Sequence, residues 1–214
     1  MVEPLNIDYL NPRKKVAREA ATLLYSGTEK EFKQAKLKAA KTFGVKFLPT
    51  NLEVALELDK IAEENEGSMR QERLIKMRTE TLKLMKVLKE YSPQLVGSVW
   101  RGTIYRESDI DIAVYHDEPN NVMETLRENH FKIARTEQVT VTKIGKKKTS
   151  FHIYSESSTK EKIEIIVRSS EEAQFKEKCE IYGDKITGLC MRELEKLLEE
   201  NPAKRFVPSR TNET

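Results

Sequence analysis

The feature that most restricts the fold is an alternation, Asp109-Ile110-Asp111-Ile112-Ala113-Val114. Residues two apart on a strand point to the same side. Ile110, Ile112 and Val114 therefore form one apolar face, and Asp109 and Asp111 stand side by side on the other. A strand with this pattern sits in a sheet that buries one face and uses the other. Leu95-Val96 reads as a short buried strand, and Val139–Ile144, Ser150–Tyr154 and Lys162–Val167 read as three more, with Gly145-Lys146-Lys147-Lys148 and Glu156–Thr159 as turns.

Upstream the period is helical. Asn11-Pro12 opens a helix with Val16, Ala20, Leu23 and Leu24 on one face. Capping-box pairs Thr28/Glu31, Thr50/Glu53 and Ser68/Gln71 mark further helix starts, and Gly27, Gly44 and Gly67 mark stops. A long helix carrying Leu74, Met77, Thr81, Leu84 and Leu88 ends before Pro93. Asn120–Asn129 predicts a helix, and Glu172–Glu200 a mostly helical segment broken at Gly183 and Gly188. The expected fold is α+β: a helical region over residues 1–67, then a small mixed sheet with flanking helices over 68–201, then a mobile polar tail over 202–214.

With 214 residues and a net charge of +3, the chain can bury a sizeable core, and nothing in its charge requires nucleic acid as a partner. Residues 1–50 hold ten Lys/Arg against five Asp/Glu, and residues 51–67 one against six; this suits solvated helix faces. No apolar run of membrane-spanning length and no apolar leader core occur, so a cytoplasmic enzyme without membrane association is expected, with Cys179 and Cys190 as reduced thiols.

The two aspartates carry the chemistry. Carboxylates held that close repel each other, and a divalent cation removes the cost. Hard oxygen ligands with open positions suit Mg²⁺, with Mn²⁺ as a substitute ion. Gly97-Ser98 follows a strand and precedes a short helix. Gly97 permits close approach of a ligand, and the backbone N–H groups and the Ser98 hydroxyl can hold phosphate oxygens. Arg101, one turn on, either adds a fork to a phosphate or forms a surface ion pair. Ser108 either sets up the strand entry or touches the nucleotide. A two-metal site needs a third acid. Glu164, a charge inside the apolar strand Ile163–Val167, is the leading candidate, with Glu156 and Glu161 as alternatives. Trp100 either packs under a helix or stacks a base. His152 and Tyr154 share a strand face that is either plain or turned to the site. Lys143, Lys146, Lys147 and Lys148 form either a solvated hairpin tip or a clamp for acceptor phosphates.

Gly97-Ser98, ten intervening residues and Asp109-Ile110-Asp111-Ile112 together resemble the signature of the DNA polymerase β-like nucleotidyltransferase superfamily. The string GSVWRGTIYRESDIDIAV is similar to the form in minimal nucleotidyltransferases and archaeal CCA-adding enzymes, and the resemblance covers roughly residues 92–168. It implies two divalent metals and transfer of an NMP from an NTP to an acceptor hydroxyl, with release of pyrophosphate. By position, Asp109, Asp111 and Glu164 take the metal and catalytic roles, and Gly97 and Ser98 the phosphate role. The acceptor is left open among an RNA end, a protein side chain and a small molecule. The chain is short for the RNA-measuring domains of a CCA-adding enzyme. Residues 1–67 are expected to shape the acceptor site or mediate homo-oligomerisation. Two alternatives stand beside this reading: a non-catalytic nucleotide- or RNA-binding module of the same fold, and an antitoxin-type nucleotidyltransferase that modifies a partner protein.

Overall fold

The computed structural model describes residues 11–143 and 146–208. Ile144, the last residue of one expected strand, Gly145, the first of the turn expected after it, and the end of the expected tail, 209–214, lie outside them. The fold is α+β. The chain divides into two compact units: one runs to Arg70 and adds Tyr105–Glu107 and Cys179–Gly183, and the other holds Gln71–Ile104, Ser108–Lys178 and the chain from Asp184 onward.

The first unit is helical. Helix α1 (Pro12–Tyr25) starts where the Asn11 side chain accepts from the Arg13 N–H at 3.0 Å. Helix α2 (Phe32–Thr42) begins with no side-chain cap, so Thr28/Glu31 does not form the expected box; Glu31 itself sits at the N-cap. Helix α3 (Asn51–Val87) has the reciprocal box. Thr50 N–H donates to Glu53 Oε2 at 2.6 Å, and Glu53 N–H donates to Thr50 Oγ1 at 3.1 Å. Gly67 interrupts α3 with φ 51° and ψ −131°, a conformation a Cβ resists. Val16, Ala17, Ala20, Leu24, Ala35, Ala39, Val54 and Leu58 form this unit's core. Its alanines let the helix backbones approach closely.

Arg13 Nε donates to Glu53 Oε1 at 2.6 Å. That bond, aided by the Thr50 donors, holds Glu53 down at about 2. The folded value lies below the unfolded one, so the stabilisation is present above the ordinary glutamate range and is lost as pH falls toward about 2. The stability gap between wild type and Glu53→Gln should therefore close over that window in an acid titration of thermal melts. A gap independent of pH would refute the linkage.

The second unit is built on a six-stranded mixed sheet in the order β3-β4-β5-β2-β1-β6. The strands are β1 (Gln94–Val96), β2 (Ile110–Tyr115), β3 (Ile133–Lys143), β4 (Lys146–Glu156), β5 (Lys162–Arg168) and β6 (Leu189–Cys190). Among the described residues only β2 and β5 pair in parallel; the other neighbours are antiparallel. Ile110, Ile112, Val114, Ile153, Ile163, Ile165 and Val167 bury one face of the sheet, with Leu84, Leu88, Leu126, Leu194 and Leu197 from the helices in the same core. The helices of this unit after α3 are α4 (Gly97–Arg101), α5 (Pro119–Glu128) and α6 (Met191–Glu200).

Three further expectations change. Lys146–Lys148, expected as part of a turn, begin β4. The segment after Glu172 is mostly not helical before Met191: it holds a 3-10 turn at Ser170–Gln174, a bridge between Lys178 and Lys185, and β6. Gly183 and Gly188 adopt φ of 75° and 64°, which stops any helix there. The expected mobile tail carries hydrogen bonds as far as Phe206. Phe206 N–H donates to the Arg101 carbonyl at 2.9 Å, and the Pro202 and Lys204 carbonyls accept from Arg78.

The β4–β5 turn is closely tied. Ser157 N–H donates to the Glu161 carbonyl at 2.9 Å, and the Ser157 hydroxyl accepts from the N–H groups of Thr159 and Glu161. Arg73, on α3, grips Glu161 at 2.8 Å and also donates to the Ser108 carbonyl at 3.0 Å. One side chain thus steadies both the turn and the entry to β2.

Candidate metal and nucleotide site

On the face of the sheet opposite the apolar core, parallel pairing sets Asp111 directly beside Glu164. Asp109, just before β2, points to the same place. Each of the three carboxylates offers an oxygen within 4.8 Å of the others, and all three residues are half-buried. Of the three acids weighed for the third position, only Glu164 joins the aspartates. Glu161 is buried and paired with Arg73, and Glu156 is exposed.

Burial pushes Asp111 well above the ordinary carboxylate range, and the charges of Asp109 and Glu164 push it further. Asp109 is raised mainly by burial, with Glu164 adding to the rise and Lys162 opposing it. Two aspartates that resist ionisation, set beside a third carboxylate, form a hard-oxygen set that a divalent cation would relieve. The donor chemistry and spacing therefore fit Mg²⁺ or Mn²⁺.

Gly97 follows β1, whose last residue, Val96, pairs with Asp111. Its φ is 69°, and a Cβ added there would overlap Asp111 Oδ2 and lie 2.8 Å from Asp111 Cγ. The glycine is needed twice, for backbone sign and for space. Gly97→Ala should push the Asp111 carboxylate aside and weaken divalent-cation affinity by at least about tenfold in a Mn²⁺ titration, with the fold retained. Affinity equal to wild type would show that the close approach is dispensable. Ser98 is the next residue of α4, half-buried beside this corner.

The remaining candidates fall elsewhere. Arg101 is buried at 4% exposure, and its fork faces Asp184, with contacts of 2.7 and 3.1 Å, while Nη1 also donates to the Phe206 carbonyl at 3.0 Å. It is an interior ion pair rather than a surface one or an open phosphate fork: Asp184 supplies the carboxylate, and the chain after Asn201 returns to supply the Phe206 carbonyl. Ser108 is buried at 5% and lends its carbonyl to Arg73, so the strand-entry role describes it and an open nucleotide contact does not. Trp100 is buried in the core. Lys148 lies 3.1 Å from Glu177 and 3.5 Å from Glu172, an acidic environment that does not suit a phosphate clamp.

Strand β4 contributes what the sequence left open. Tyr154 pairs across the strands with Glu164, and His152 with Ile166. His152 Nδ1 lies 2.6 Å from Glu164 Oε1, and His152 Nε2 lies 2.7 Å from Ser150 Oγ. Tyr154 is pushed up to about 12, first by burial and then by its hydrogen bond to Glu164. Arg135 stacks on the Tyr154 ring at 3.6 Å. The signal for this was the alternation Ser150-Phe151-His152-Ile153-Tyr154, which places three polar side chains on the face that bears Glu164.

Residues 78–189 match the model of a family described as Domain of unknown function (DUF4269). No curated protein matches the chain. Among solved structures, one described as the structural basis for the activity of a cytoplasmic RNA terminal U-transferase is similar at 18% identity, with a TM-score of 0.31. The match covers 55% of this chain and 34% of that one, so the chain spans about a third of that protein's length. No helix among the described residues is long and apolar enough to cross a membrane.

Proposed function

The chain belongs to the DUF4269 family, whose description names no chemistry, and from the geometry of its carboxylates we propose that it is a metal-dependent nucleotidyltransferase. It would transfer an NMP from an NTP to an acceptor hydroxyl and release pyrophosphate. The observation that carries this reading is the convergence of Asp109, Asp111 and Glu164 beside the backbone of Gly97. The resemblance of the Gly97-Ser98 and Asp109/Asp111 spacing to polymerase β-like nucleotidyltransferases supports it.

In this reading Asp109, Asp111 and Glu164 would hold Mg²⁺, two ions in a fully loaded site. The bound ions would neutralise charge on the triphosphate and on the leaving pyrophosphate. Gly97 and Ser98 receive the phosphates through backbone N–H groups and the serine hydroxyl. Glu164 orients the acceptor hydroxyl and takes its proton. The acceptor oxygen bonds to the α-phosphorus as the bond to the bridging oxygen of the β-phosphate breaks. Most of the catalysis is positioning and charge stabilisation.

The test is incubation of the full chain with each α-labelled NTP and Mg²⁺ or Mn²⁺, alone and with RNA, protein or small-molecule acceptors. Pyrophosphate release or label transfer that is lost in Asp109→Asn and Asp111→Asn is the expected result. No turnover with any acceptor class, together with nucleotide binding indifferent to Asp109→Ala, would replace the enzyme by a non-catalytic binding module.

A further inference from the structure

We propose that His152 is a positioning residue for the metal site: it donates its Nδ1 proton to Glu164 and locks that carboxylate in its ligating orientation. This rests on the reading of Asp109, Asp111 and Glu164 as metal ligands and adds a residue to it. Glu164 enters from a different strand than the two aspartates, so its carboxylate needs its own restraint. A glutamate has one more rotatable bond than an aspartate, and a ligand free to rotate loses entropy on binding.

Three observations carry the assignment. His152 Nδ1 lies 2.6 Å from Glu164 Oε1, a short hydrogen-bond contact. Ser150 Oγ lies 2.7 Å from His152 Nε2, so with Nδ1 protonated the serine hydroxyl donates to Nε2 and the ring is held at both nitrogens. His152 and Glu164 are both mostly enclosed, with side-chain exposures of 15% and 19%, which limits competition from water. The β4–β5 ladder sets the spacing: Tyr154 opposes Glu164, and His152 stands one step along the same face. The order Ser150–His152–Glu164 also resembles that of a hydrolytic triad, but here its carboxylate belongs to the acidic cluster, so the histidine serves that carboxylate.

Outer residues that hold metal ligands in place typically change affinity by about 10–100-fold when removed. The experiment is a Mn²⁺ titration of the full chain, followed by electron paramagnetic resonance, with thermal melts run in parallel. His152→Phe keeps a ring without a donor and should weaken Mn²⁺ binding by about tenfold or more. His152→Ala makes the same test if the phenylalanine variant does not fold. His152→Asn places an amide N–H near the Nδ1 position and should restore most of the affinity, an outcome that ring packing alone would not produce. Wild-type affinity in the folded donor-free variant would overturn the role of His152 and leave the metal site standing. Equal weakening in His152→Phe and His152→Asn would also overturn it. A wild-type chain that binds no Mn²⁺ would overturn both this inference and the reading beneath it.

Discussion

Asp111→Asn should raise the melting temperature of the metal-free chain and at the same time cut the proposed nucleotidyl transfer by about a thousandfold or more. The two effects have one cause. Burial, Asp109 and Glu164 all oppose charge on Asp111, so its folded-state value stands well above the unfolded one. A group shifted in that direction favours folding while protonated and costs stability as pH rises through the raised value. The amide of asparagine never ionises, so the advantage of the variant should vanish below about pH 3, where wild-type Asp111 is protonated in both states. It should grow toward neutral pH. Adding Mg²⁺ or Mn²⁺ should reverse the order, since only wild type gains from binding. A variant less stable than wild type at neutral pH without metal would show that Asp111 is compensated by something other than a cation.

The second large effect is expected at Arg78. This residue is fully buried on α3, and its guanidinium donates to four carbonyls: Val99 at 3.1 Å, Trp100 at 2.9 Å, Lys204 at 2.9 Å, and Pro202. Burial pushes Arg78 down to about 10, so it still carries its charge at neutral pH. Arg78→Met leaves those acceptors without their donor, and each buried one costs about 1–3 kcal/mol. The Val99 and Trp100 carbonyls are the deepest. A total loss of about 3–5 kcal/mol is expected, since the carbonyls nearer the surface recover water, and this corresponds to a fall in melting temperature of about 10 °C. Arg78→Lys should recover little, because an ammonium cannot span four acceptors on two separate segments. Urea unfolding that shows a loss below about 1 kcal/mol would mean that the carbonyls find other donors.

These sites differ in how far the sequence revealed them. The Asp109–Val114 alternation was legible because a strand buried on one side imposes a two-residue period, and β2 spans Ile110–Tyr115 accordingly. Glu164 was legible for a related reason: a charge among Ile163, Ile165 and Ile166 calls for a partner. Arg78 and Arg101 carried no such sign. Their partners are main-chain carbonyls, and for Arg101 also Asp184, more than eighty positions away in several cases. A carbonyl is present at every residue, so no spacing announces this use. Arg101 reads in sequence as a phosphate ligand or a surface ion pair because its neighbours resemble a phosphate corner, and nothing local signals its burial. The deciding partners, Asp184 and Phe206, become visible only once the chain has returned. The helix expected after Glu172 failed for a local reason, the left-handed Gly183 and Gly188.

The turn between β4 and β5 acts on the sheet as a reading frame. Its hydrogen bonds, from Ser157 to Glu161, fix how many residues separate Tyr154 from Glu164. One residue added or removed there shifts the parity of β5 against its neighbours, turning Glu164 toward the apolar layer and setting an isoleucine among the aspartates. Additions at the far end of the β3–β4 hairpin leave that parity untouched. Length variation within this family should therefore collect at the hairpin tip and be absent from residues 157–161.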